Sequence, residues 1–297
     1  MTAEAELNAA AGQAVVDGLV ALLDLEPIEE DIFRGVSPKV ELQRVFGGQV
    51  AGQALVAAGR TVESDRLVHS LHSYFIRPGD PAIPIIYNVE RIRDGGSFSV
   101  RRVLAIQHGK PIFTLSASFQ LPQGGIDHQV EMPPAPPPES LPTLAERYEG
   151  YDELWEVMSK IPQAFDVRYV DDPPWIQRTL GPRQNQPHRI WLRANGTLPD
   201  DPLLHVCVVT FASDMNLLDS VLVHHGLSAR LDPISMASLD HAMWFHRRFR
   251  ADEWFLYDSS SPSASGGRGL ATGRFFTRDG RLVVSVAQEG LIRLPSA

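Results

Sequence analysis

A single cysteine, Cys207, occurs in the 297 residues, so the chain can build neither an internal disulfide nor a thiolate metal cluster, as befits a reducing compartment. Basic residues are also scarce: 27 Lys and Arg against 36 Asp and Glu leave a formal charge of -9 and a pI near 5.6. Binding to a phosphate backbone needs a clustered basic excess, so no nucleic-acid partner is expected. No apolar run approaches the ~20 residues that cross a bilayer, which speaks against a membrane partner. The N-terminal stretch MTAEAELNAAAGQAVVDGLVALLDLEP lacks a basic leader and carries acids among its apolar residues. It reads as an amphipathic helix and not as an export signal, and the final RLPSA is not a peroxisomal address. The expected compartment is the cytoplasm. No G-x-S-x-G elbow occurs, and the glycines of GRGLATG are out of step with a dinucleotide fingerprint. His224-His225 lacks the acid of an HHxxxD acyltransferase, and no His, Cys and acidic set has ligand spacing, so neither metal nor cofactor is expected.

What the chain does contain is 43% apolar residues, enough for a substantial core, and a plain internal boundary. The closely spaced prolines of MPPAPPPESLPT, Met132 to Thr143, favour an extended path and divide the chain into a first half, 1–131, and a second, 144–297. In the first half a helix over Phe46 to Val62, rich in small residues at Gly47, Gly48, Ala51 and Gly52, precedes four strand-like runs. The last two runs meet at the turn His108-Gly109. The second half repeats the order: a helix over Pro202 to Val223, then four strand-like runs whose last turn is Asp279-Gly280. The Pro202 helix is apolar around nearly its whole circumference, and such a helix is normally buried on all sides. A curved antiparallel sheet wrapped round a buried helix, twice in tandem, is the α+β architecture called a double hotdog. That wrapping is the expectation for the fold.

Three polar residues carry candidate chemistry. Strand alternation puts Gln288 on the apolar face with Val284 and Val286, while the matching hairpin of the first half has Ala117 there. Taken alone, Gln288 is equally readable as a buried amide satisfied by nearby backbone. Asp214 lies within the apolar helix, where a carboxylate needs partners; alone it also reads as a helix-end acid near solvent. Ser238 alone reads as a small sheet residue. Asp240 and His241 alternate faces and cannot form a serine-hydrolase relay with Ser238. Cys207 on its apolar helix reads as core, and His224 and His225 as ordinary loop or helix-end residues.

The segments VFGGQVAGQAL, LVHSLHSYFIRPGD, RDGGSFSVRRVLAIQHGKPIF and SLDHAMWFH closely resemble the acyl-CoA thioesterase II family, and the likeness runs from about Phe33 to Arg293. The resemblance implies hydrolysis of fatty acyl-CoA to fatty acid and coenzyme A by a water that an aspartate, a threonine and a glutamine activate. Matched motif by motif, these are Asp214 in FASDMN, Ser238 in MASLDHAMW and Gln288 in VAQEG. Serine in place of threonine keeps the hydroxyl and gains rotamer freedom. A thiol leaving group with a pKa near ~8.5 needs little acid help, so direct attack without an acyl-enzyme suffices. Backbone N–H groups near the glycine-rich helix start are expected to meet the carbonyl oxygen. Two alternatives stay open. An R-specific enoyl-CoA hydratase shares the architecture and a D-x-N-P-x-H signature, which Asp214-Met215-Asn216 begins but Leu217 and Asp219 break; a non-catalytic acyl-CoA sensor is the other. A homo-oligomer is expected, because the convex sheet face and strand edges call for cover by another copy.

Overall fold

The computed structural model describes residues 3–38, 43–182 and 187–294, with side chains from residue 10 onward in the first helix. Met1, Thr2 and the last three residues of RLPSA thus lie outside the described residues. The first helix, α1 (Ala3–Leu23), is amphipathic as expected: Val16, Leu19 and Leu23 are buried on one face while Asp17 and Gly18 are exposed. The first half continues through β1 (Glu26–Glu29), β2 (Ile32–Gly35), α2 (Gly47–Gly59), β3 (Leu67–Phe75), β4 (Ile85–Asp94), β5 (Phe98–Gln107) and β6 (Lys110–Gln120). Short helices α3 (Leu144–Arg147), α4 (Asp152–Met158) and α5 (Pro174–Leu180) surround β7 (Phe165–Tyr169) and precede β8 (His188–Ala194). The second half then runs α6 (Pro202–Ser213), α7 (Asp219–His224), β9 (Ser235–Ser238), β10 (Asp240–Phe245), β11 (Phe255–Ser265), β12 (Arg268–Thr277) and β13 (Leu282–Arg293).

The strands form one antiparallel sheet whose order is nearly a palindrome, β1-β2-β4-β5-β6-β3 followed by β10-β13-β12-β11-β8-β7. Each half winds its strands in the same sequence, so an internal twofold relates the halves. They join where β3 pairs with β10, from Asp240 opposite Tyr74 to Trp244 opposite Ser70. The sheet curls round α2 on one side and round α6 and α7 on the other, which is the double hotdog anticipated above. Residues 48–58 of α2 are all buried, and its two polar side chains, Gln49 and Gln53, find partners within the fold, at Ser37 Oγ and Leu22 O.

Three details differ from the sequence reading. Each buried helix is preceded by its own strand pair, β1–β2 or β7–β8; these strands are only 4 to 7 residues long and lie where the repeat had been read as starting with a helix. The Pro202–Val223 helix breaks at Asp214, whose C-cap backbone and the following turns separate α6 from α7. Ser213, Asp214 and Asn216 compete for backbone hydrogen bonds and weaken a helix locally. The two hairpins also differ: His108 and Gly109 both have positive φ, the two-residue turn that suits strand twist. In the other, Gly280 alone is left-handed, and its N–H closes a turn on Thr277 O.

The helices α2 and α6 pack against each other in opposite directions through glycine. A Cβ placed at Gly48 would lie 2.3 Å from the backbone oxygen of Phe211, and one at Gly52 would lie 3.3 Å from that of Cys207. Backbone cannot give way as a side-chain tip can. Gly48→Ala is therefore expected to destabilise the fold by about 1–3 kcal/mol, read as a lower urea midpoint with an unchanged slope.

Candidate active site

The break after α6 places a carboxylate where two helices and two strands converge. Asp214 is the C-cap of α6, Ser238 ends β9 opposite Gly290, and Gln288 lies two residues earlier on β13. Burial on β13 alternates as the sequence predicts, with Val284, Val286 and Gln288 buried. All three sequence-predicted residues meet. Gln288 Nε2 donates to Asp214 Oδ1 at 2.7 Å and to Ser238 Oγ at 2.6 Å, and Ser238 Oγ donates to Asp214 Oδ1 at 3.2 Å. The two sequence descriptions of Asp214 are both half right: it is a helix-end acid, yet its carboxyl group is enclosed rather than solvated.

The enclosure has an electrostatic structure. A carboxylate at the C-terminus of α6 faces the negative end of that helix dipole, which is unfavourable. The antiparallel packing brings the opposite end of α2 to the same point, and the Gly48 amide donates to Asp214. A Cβ at Gly47 would lie 2.6 Å from Asp214 Oδ2, so the carboxylate can approach this helix start only because the residue is glycine. Burial pushes the Asp214 carboxyl above its ordinary range, against the pull of His241, Gln288, Ser238 and the Gly48 amide.

Sequence reasoning missed His241. It is 1% exposed, and its Nδ1 lies 2.9 Å from Gln288 Oε1 while its Nε2 lies 2.8 Å from Ser213 Oγ. Donor and acceptor roles follow by elimination. The ionised Asp214 only accepts, so Gln288 turns its NH2 toward it and its Oε1 toward His241, and Nδ1 must then carry a proton; the Ser213 hydroxyl at Nε2 also has Thr210 O within reach as an acceptor, at 2.9 Å. Burial holds this imidazole below its usual pKa, with the Asp214 charge pulling the other way. His241 positions Gln288. The exclusion of a serine-hydrolase relay stands, because the Asp240 carboxylate turns away and accepts from Glu289 N at 2.7 Å. The overlooked signal was alternation along β10, which puts His241 on the inward face with Met243 and Phe245.

Above Asp214 opens a cavity of about 640 Å³. Gly47, Asp214 and Ser238 line its polar end, Phe75, Phe113 and Leu218 supply apolar wall, and Arg44 and Arg77 also line it. Cys207 is fully buried, with its thiol pushed far up by desolvation, and is core as expected. His224 ends α7 and His225 is its C-cap. No group of three or more His, Cys, Asp or Glu suited to a metal ion occurs among the described residues.

A group that must be ionised to act, but whose carboxyl is raised by burial, loses function as pH falls through that raised value. The acid limb of the rate profile is therefore expected above the ~4 of an unperturbed carboxylate. Gln288→Leu removes a donor to the charged form and should move this limb further up. A limb left in place by Gln288→Leu contradicts the assignment. His241→Leu should lower kcat more than it changes KM, because it frees the Gln288 amide to turn.

Residues 37–120 match the family described as the acyl-CoA thioesterase N-terminal domain, and residues 159–291 the one described as acyl-CoA thioesterase. Among curated proteins, the chain is 45% identical over 294 residues to acyl-coenzyme A thioesterase 8 of Mus musculus, covering 93% of this chain and 89% of that one. It is 37% identical over 289 residues to acyl-CoA thioesterase 2 of Haemophilus influenzae, covering 94% and 98%. Among solved structures, the acyl-CoA thioesterase II TesB2 of Mycobacterium marinum is 49% identical and superposes with a TM-score of 0.77 over 93% of this chain and 98% of that one. A hot dog fold protein of Alicyclobacillus acidocaldarius, 18% identical, shares the fold with a TM-score of 0.73 over 93% of this chain and 97% of that one. By these likenesses and by its own architecture, the chain belongs to the acyl-CoA thioesterase family.

Proposed function

We propose that this acyl-CoA thioesterase hydrolyses fatty acyl-CoA by direct attack of a water activated by Asp214, Ser238 and Gln288, with Gln288 buried behind the other two and holding both through its NH2. The single observation that carries the mechanism is the convergence of an amide and a hydroxyl on one enclosed carboxylate at the polar end of an apolar cavity. Asp214 takes the water's proton, the water oxygen bonds to the thioester carbon, and collapse of the tetrahedral intermediate breaks the C–S bond. Coenzyme A leaves largely as thiolate, so no strong acid is needed. Gly47, in the first turn of α2 and in the cavity wall, offers an N–H without a helical partner to the carbonyl oxygen. The acyl chain lies along Phe75, Phe113 and Leu218, and Arg44 and Arg77 are placed to meet coenzyme A phosphates. The reacting residues belong to the second repeat, 144–297, joined to the first, 1–131, by the proline-rich segment 132–143; the first repeat lends the helix start. A hydratase is disfavoured because Leu217, fully buried, and Asp219 stand where its proline and histidine would be. A sensor role is disfavoured by the intact set of polar groups.

No helix of the described residues is long and apolar enough to cross a membrane. We place the enzyme in the cytoplasm, in fatty-acid metabolism, as a homo-oligomer. His72, Tyr74 and Trp244 are exposed side by side on the convex face where the halves join, with Tyr74 63% and Trp244 38% accessible. Sedimentation at micromolar concentration should show a species heavier than the 32.8 kDa chain, and Trp244→Glu should shift it toward the monomer.

Asp214→Asn keeps volume and hydrogen bonds but cannot take a proton. Turnover of palmitoyl-CoA, followed by free thiol release, should fall by ~10² to 10⁴ with little change in substrate binding. Gln288→Ala should also impair turnover, Ser238→Thr should be tolerated, and chelators should leave the rate unchanged. Near-normal turnover in Asp214→Asn together with loss in Cys207→Ala would require a thiol nucleophile instead.

A further inference from the structure

A second cavity of about 810 Å³ opens at the other end of the α2–α6 pair, between Gly59 at the end of α2 and Leu203 at the start of α6. The internal twofold carries the active-site cavity onto it. Val68 pairs with Phe119 as Ser238 pairs with Gly290, and Leu71 pairs with Ala117 where His241 meets Gln288. Arg60 is the C-cap of α2 as Asp214 is of α6. The counterparts of the four polar groups are thus Arg60, Val68, Leu71 and Ala117, and no water can be activated there. The cavity nevertheless persists, larger than its twin, with Phe119, Phe245 and Phe249 in its walls.

Its wall also holds a polar group without a partner. His205 is 2% exposed and lines the cavity; its Nδ1 accepts from Ala251 N at 3.0 Å, and its Nε2 has no hydrogen-bond partner among the described residues. With Nδ1 occupied as an acceptor, a neutral ring carries its proton on Nε2, a donor that awaits an acceptor. Burial keeps the ring neutral, holding it below the usual imidazole range. Beside it Arg248, also lining the cavity, is exposed and makes no hydrogen bond or ion pair among the described residues.

We propose that this cavity is a second, non-hydrolysing site for an acyl chain, whose carbonyl or carboxylate oxygen accepts from His205 Nε2–H and whose phosphates, when present, meet Arg248. The proposal rests on the acyl-CoA chemistry of the first site. Two sources share the required chemistry: the substrate acyl-CoA and the product fatty acid. A bound chain here leaves the reacting residues untouched and is not hydrolysed.

Equilibrium titration of the full-length enzyme tests this with two probes: a fatty acid, and an acyl-CoA analogue in which a methylene separates the carbonyl from sulfur. At least one probe should bind with two equivalents per chain. His205→Asn, which retains an acceptor for Ala251 N–H and removes the distal donor, should weaken the second equivalent by about tenfold or more, the order expected of a buried hydrogen bond. Val62→Glu, at a half-buried wall position, should weaken it independently. A loss of the analogue's second equivalent in Arg248→Glu identifies acyl-CoA as the occupant, whereas a second equivalent seen only with fatty acid identifies the product. All three variants should keep the wild-type kcat/KM, read at low substrate. One equivalent of each probe in the wild type, or a second equivalent indifferent to both His205→Asn and Val62→Glu, overturns the proposal. Failure of the thioesterase mechanism is separate, since it shows as absent turnover in the wild type whatever the stoichiometry.

Discussion

Everything at the active site depends on one carboxylate lying where the end of α6 meets the start of α2. An ionised Asp214 in that place is costly: it is desolvated and faces the wrong pole of its own helix. The fold answers with the opposite pole of a second helix, the Gly48 amide, the Gln288 NH2 and the Ser238 hydroxyl. These come from three elements, α2, β9 and β13, the first of them in the other half of the chain, so the site exists only when the two halves are docked. The glycines of α2 are part of the same constraint. Gly47 lets the carboxylate reach the helix start, and Gly48 lets the Phe211 carbonyl approach closely enough to set the helices at that spacing.

The backbone is close to twofold symmetric and the chemistry is not. Sheet order, helix placement and cavities repeat, yet the polar quartet Asp214, Ser238, His241 and Gln288 maps onto Arg60, Val68, Leu71 and Ala117. A symmetric pair of sites would enclose two desolvated carboxylates and two buried imidazoles, each requiring its own set of partners. Confining the chemistry to one end lets apolar residues stand at the matching strand positions of the other, where Leu71 and Ala117 are fully or almost fully buried behind the larger cavity. Hydrophobic burial at one end thus offsets the cost of polar burial at the other.

The sequence disclosed what rests on periodicity and on chemical contrast. Gln288 was visible because a polar amide interrupts Val284 and Val286 on one face, α6 because it lacks a polar side, and α2 because of its small residues Gly47, Gly48, Ala51 and Gly52. Their wrapping by the sheet followed from the need to bury such helices. The strand pairs ahead of each helix were not visible, since runs as short as those of β1 and β2 carry too few alternations to stand out. The break at Asp214 was half visible, since Ser213, Asp214 and Asn216 weaken the helix locally, but the enclosure of the carboxylate was hidden because Gln288, Ser238 and the Gly48 amide are distant in sequence. His241 shows a different failure. Asking whether it could face Asp240 gave the right exclusion, but its inward neighbours Met243 and Phe245 already said which way it points.

The orientation of Gln288 links these threads to catalysis. An amide can turn over, and in the turned state its oxygen would face the Asp214 carboxylate and repel it. His241 removes that freedom by offering a proton at Nδ1, and Ser213, the last residue of α6, holds the far side of the ring at Nε2. Tyr257 completes the chain by donating to the Ser213 carbonyl at 3.0 Å, which satisfies one of the helix's terminal acceptors. The end of α6 therefore fixes the base twice, directly through the backbone of Asp214 and indirectly through Ser213, His241 and Gln288. In the mechanism proposed above, a water at that carboxylate would meet partners whose directions are set before the thioester arrives, leaving little reorganisation to the transition state. Burial raises the Asp214 carboxyl, and a carboxylate with a raised pKa is the stronger base toward that water, so the desolvation that costs stability also serves the proton transfer.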